Sequence, residues 1–121
     1  MYTSNPTDTY PTLVNKIARN YGITLHPTDC VPDILRRIIL ATLPLVEPNV
    51  SPLDPEWSLW AKILNGQTKF GPHTEVNSLR STDTLPVILQ KILYNQSHVG
   101  APADNTKYST VQQILNKGTA I

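Results

Sequence analysis

The sequence predicts a mainly α fold: a small bundle made of a duplicated helix–loop–helix unit plus a C-terminal helix, with extended Pro-rich connectors. Three observations carry this reading. The segment at 28–40 returns at 82–94, apolar residues recur at helical spacing, and prolines cluster at helix starts and between units.

The recurring segment, here helix B, reads Thr28-Asp29-Cys30-Val31-Pro32-Asp33-Ile34-Leu35 in its first copy and Thr82-Asp83-Thr84-Leu85-Pro86-Val87-Ile88-Leu89 in its second. Thr or Asp at the start can cap free backbone N–H groups, and Asp complements the positive end of the helix dipole. Pro32 and Pro86 fall in the first turn, where a missing N–H costs little. Apolar residues then lie at 31, 34, 35, 38 and 39, matched by 85, 88, 89, 92 and 93. That is one face of a helix and not the alternation of a strand.

A second element, helix A, precedes each copy. Asp54-Pro55-Glu56-Trp57 predicts a helix start with a capping Asp and Pro at the first helical position, and Trp57, Trp60, Ile63 and Leu64 follow at helical spacing. The same design stands at Asp8, Pro11, Val14, Ile17 and Ala18, and again from Asn105 with Tyr108, Val111, Ile114 and Leu115. Gly22, Gly66 and Gly118 follow these segments, where a left-handed residue commonly ends a helix.

The chain therefore divides as a single domain over 1–121. It has an N-terminal arm (1–7), a first helical unit (8–43), a connector (44–53), a second unit (54–94), a connector (95–104) and a C-terminal helix (105–121). The arm is polar and expected to be mobile. One A–B pair cannot bury enough apolar surface by itself, so the two units are expected to pack on each other. The last helix has no B partner and either caps the bundle or docks on another chain. The insertion between Gly66 and Ser81 is the place to look for contacts specific to the second unit. With Tyr108 on the last helix, its Phe70, His73 and Arg80 are the candidate partner-contact residues.

Composition narrows the functions. Lys plus Arg number 10 against 9 Asp plus Glu, so no strong field steers nucleic acid, acidic substrates or anionic lipid. A single cysteine excludes an internal disulfide framework. The start lacks the basic and apolar regions of a secretory signal, and no run is apolar enough to span a membrane. The sequons at Asn49 and Asn95 are then read as incidental.

His26, Asp29 and Cys30 lie close together, but zinc needs paired ligands and none are present, so a loop His beside a small buried Cys is the reading. Arg36-Arg37 with Lys91 reads as a solvated helix face. Asp54 reads as a cap and Glu56 as dipole compensation. Trp57, Trp60 and Tyr108 read as core anchors that become interface hot spots wherever they are exposed. No phosphate loop, nucleophile elbow or metalloprotease motif occurs, so no enzyme and no cofactor is expected.

Helices of the form Thr-Asp-x-x-Pro-x-Ile-Leu-x-x-Ile, at 28–38 and 82–92, joined by proline-broken connectors, resemble those of small virion structural proteins of tailed bacteriophages. The resemblance implies a non-enzymatic component of head, neck or tail, located in the virion, whose partners are other virion proteins or copies of itself. Without it the expectation is a cytoplasmic interaction protein. The alternative is a small nucleic-acid-binding regulator using helix B with Arg36, Arg37 and Lys91.

Overall fold

The computed structural model describes residues 2–42, 53–69, 80, 82–97 and 106–116. Among these residues five helices follow in order: α1 (Tyr10–Asn20), α2 (Val31–Thr42), α3 (Glu56–Lys69), α4 (Leu85–Ser97) and α5 (Lys107–Asn116). No strand occurs among the described residues. The fold is the mainly α bundle that the spacing predicts.

The five helices share one pattern, so A and B are a single kind of element. Counting from Asp8, Asp29, Asp54, Asp83 and Asn105, each two residues before a helix, the sequences fall into register without a gap. Ile17, Ile38, Ile63, Ile92 and Ile114 share one position, and Ala18, Ile39, Leu64, Leu93 and Leu115 share the next. One turn earlier stand Leu13, Ile34, Leu59, Ile88 and Thr110, followed by Val14, Leu35, Trp60, Leu89 and Val111. All of these side chains are buried. Four positions spaced i, i+1, i+4, i+5 make one broad stripe along a helix, too wide for a single neighbour to cover.

The packing solves this by closing a ring. Each helix packs on the next, and α5 packs back on α1; among the described residues, non-adjacent helices make no close backbone approach. The C-terminal helix is thus covered within its own chain.

Side-chain contacts set the helix directions. Trp57 in the first turn of α3 donates its indole N–H to the carbonyl of Asp83, just before α4 (2.9 Å). Glu56, which opens α3, meets Tyr10 of the first turn of α1 and Lys107 of the first turn of α5. Near the other end, Gln96 of α4 donates to the carbonyl of Ile114 on α5 (3.2 Å). So α1, α3, α4 and α5 begin at one end of the ring and run parallel. The second unit is therefore not an antiparallel hairpin, because the chain between Lys69 and Leu85 is long enough to return to the starting end.

Several boundaries differ from expectation. Asp54 is not the cap of α3: the carbonyl of Pro55 accepts the first helical bond, from Leu59, and Pro55 precedes the helix. Asp8 likewise gives way to Thr9, whose hydroxyl accepts from the Thr12 N–H. Helix α3 runs through Gly66 to Lys69, with Gly66 buried inside it, so the insertion begins later than the glycine suggests. Helix α4 continues through Asn95 to Ser97. Gly22 behaves as expected: at φ 73° it closes α1, with Gly22 N–H on the Arg19 carbonyl and Ile23 N–H on the Ala18 carbonyl. Gly118 and the connectors at 44–52 and 98–104 lie outside the described residues.

The arm is anchored, contrary to expectation. Tyr2 exchanges two hydrogen bonds with the Asn20 side chain, and Ser4 exchanges two with that of Asn116. Lys16 reaches the Thr3 carbonyl, and the Arg19 guanidinium lies over the Tyr2 ring at 5.9 Å. The arm bridges the last turns of α1 and α5, across the seam where the ring closes. Polar composition favours a loose terminus, but here asparagine side chains satisfy its backbone groups.

Candidate functional surface

The repeat positions a recurring polar clamp at the helix starts. In three copies the Asp N–H bonds the carbonyl three residues back, of Asn5, His26 or Arg80, and its carboxylate accepts the N–H of that same residue. The carboxylate also takes a basic side chain two helical turns ahead: Asp8–Lys16 at 2.6 Å, Asp29–Arg37 at 2.9 Å and Asp83–Lys91 at 2.6 Å. Asp54–Lys62, at 2.6 Å, supplies the fourth pair. In α5 the neutral Asn105 and Gln113 stand at the equivalent sequence positions. The clamp joins each incoming turn to the body of its helix, which explains an Asp that does not cap.

These contacts set the acid side of the stability profile. Lys16, then the Asn5 N–H, holds the Asp8 carboxyl below its ordinary range. The His26 N–H and then Arg37 do so for Asp29, and the Cys30 thiol and N–H for Asp33. At Asp83 burial pushes upward, but Lys91 and the Arg80 N–H outweigh it.

A second polar group crosses the ring at the starting end. The Tyr10 hydroxyl donates to Glu56, accepts from the indole N–H of Trp60 (3.0 Å), and its ring lies 4.1 Å from the Lys107 ammonium. Burial first, then the Glu56 carboxylate, pushes the Tyr10 phenol well above its ordinary value of 10.0. Glu56 therefore joins α1, α3 and α5 as well as lying near the positive end of its own helix.

Stability should accordingly have two flanks. Carboxyls with depressed folded values favour the native state above the unfolded value of about 4, an advantage lost as pH falls through the folded values. A phenol held protonated makes the native state lose ground once the unfolded chain ionises, above about pH 10. Urea midpoints across pH should show both declines, and Tyr10→Phe should flatten the alkaline one alone. An unchanged alkaline limb in that variant would contradict the assignment.

The other singled-out residues fall as follows. Trp60 is fully buried and Tyr108 half-buried against the core. Trp57 is 39% exposed, so of the aromatic trio it is the one that presents a broad surface to solvent. It shares its repeat position with Tyr108 and with Pro11, Pro32 and Pro86. Leu53, Leu40 and Tyr94 are also exposed. Arg80 is exposed at the turn before α4, while Phe70 and His73 lie outside the described residues. Cys30 is exposed, not buried: at the residue before α2 its thiol points outward and donates to Asp33 (3.1 Å). Arg36 and Arg37 each pair with an acid of their own segment, Asp33 and Asp29.

A cleft of about 420 Å³ lies between the arm, α1 and the start of α2, bordered by Tyr2, Asn15, Arg19, Asp29 and Ile34. Among the described residues, no cluster of His, Cys, Asp and Glu is arranged to hold a metal ion. No described helix is long and apolar enough to cross a membrane. The chain matches no protein-family model, no curated protein and no solved structure.

Proposed function

We propose that this chain is a non-enzymatic structural protein that acts by docking on other protein chains, as a component of a virus particle of the tailed-phage kind. The observation that carries the docking reading is Trp57: a large aromatic side chain, 39% exposed, on a helix whose other large apolar residues, Leu59, Trp60, Ile63 and Leu64, are buried. Its indole N–H is already satisfied by Asp83, which fixes the ring and lowers the entropy lost when a partner covers it. Trp is among the residues enriched at interface hot spots. The virion setting rests on the capped, proline-marked helices.

Light scattering of the intact chain, alone and with the products of neighbouring genes, tests the reading. Assemblies larger than one chain are expected, weakened by Trp57→Ser while the helical circular dichroism is kept. A chain that stays monomeric with every candidate partner and instead binds DNA in a salt-sensitive manner would replace this reading with the nucleic-acid one.

A further inference from the structure

We propose that α5 exchanges between two copies of this chain, so that the α5 of one copy fills the gap between α4 and α1 of the other. Each interface in the ring is built from the same four stripe positions, so the seat that receives α5 recognises a pattern common to the chain. Among the five described helices, α5 departs furthest from the shared pattern. It has Thr110 where the others carry Leu or Ile, and Asn105 and Gln113 where they carry an acid and a base. Among the described residues it is also the shortest helix, at 10 residues.

Part of what retains α5 in its own ring lies across the closing seam, beside the Gln96 bond to the Ile114 carbonyl and the Lys107 contacts with Glu56 and Tyr10. The hydrogen bonds between Ser4 and Asn116 tie α5 to the arm, and those between Tyr2 and Asn20 tie the arm to α1. All four lie at the surface, where water competes for the same groups. Without them the ring opens more readily, and on opening α5 leaves a gap flanked by the buried stripes of α4 and α1. A second copy is the occupant that fits, because its α5 carries the same Val111, Ile114 and Leu115 and the same Ile114 carbonyl for Gln96. Reciprocal exchange reproduces every native contact in a two-chain particle, the usual route to swapped dimers.

The exchange does not rest on the docking reading, since Trp57→Ser should weaken partner docking and leave the exchange intact. The test is to refold the intact chain and a chain lacking residues 2–7 over a range of protein concentrations. Light scattering then follows the mass from the single-chain value of 13.5 kDa. The shortened chain should move to twice its own single-chain mass as concentration rises, well before the intact chain does. Because subunits can part only by opening the ring, labelled dimers should trade subunits as slowly as the chain unfolds. A helical shortened chain that stays monomeric at every concentration, or a dimer that trades subunits rapidly, overturns the proposal. If the shortened chain does not fold, Asn116→Ala, which removes only the contact with Ser4, is held to the same outcomes.

Discussion

Trp60→Ala is expected to be the most damaging single truncation, lowering the unfolding free energy by about 3–5 kcal/mol. The side chain is fully buried, and it is the only aromatic ring at its repeat position; Val14, Leu35, Leu89 and Val111 stand there in the other helices. One large ring among four smaller groups fills space that five aliphatic side chains would leave open, and a rigid ring cannot collapse to heal the void. The substitution also removes the indole N–H that the Tyr10 hydroxyl accepts. A small domain is stable by only about 5–15 kcal/mol, so much of the margin would go. Urea denaturation followed by circular dichroism measures it. A loss no larger than that of Trp57→Ala, whose ring is partly exposed, would show that Trp60 is not central to the packing.

The second large effect concerns the isoleucine shared by all five helices. Ile→Ala at 17, 38, 63, 92 or 114 should each cost about 2–5 kcal/mol, and each variant should still unfold in one transition. The reason is geometric: every one of these side chains is buried at the same depth of a closed ring, so none belongs to a helix that can melt alone. Calorimetry and urea titration check both parts. If one helix tolerates the change at little cost, or unfolds in a separate step, it is not an equal member of the ring.

The helices themselves were legible in the sequence because their signals are local. Apolar spacing, first-turn prolines and Gly22 each act within a few residues, so 28–40, 82–94 and 54–64 read as helices from local sequence alone. The repeat was only half legible. The alignment of Asp8, Asp54 and Asn105, and separately of Asp29 and Asp83, treated as two designs what is one, because turn lengths differ and identities are few. The missed signal was an Asp followed eight residues later by Lys or Arg, and then by Ile, in four of the helices. It was hidden because capping is the usual explanation for an Asp at a helix start, and here the Asp lies one residue too early to cap.

At the surface the residues divided differently. Trp57 and Trp60 both fit the helical spacing, three residues apart, and their opposite fates follow from which side of α3 faces the ring. Tyr108 occupies the same repeat position as Trp57 yet is half-buried against the core. Cys30 looked like a small core residue by type, but a position just before a helix turns its side chain outward.

The sequence by itself determined where helices form and which stripe of each must leave water, since both depend on contacts within one or two turns. Only the tertiary structure decided that the stripes close into a ring, that four helices run the same way, and that the arm fastens the seam. Those outcomes depend on contacts between residues far apart in the chain, such as Ser4 with Asn116 and Tyr10 with Glu56. Local spacing does not encode which distant stripe comes to lie alongside.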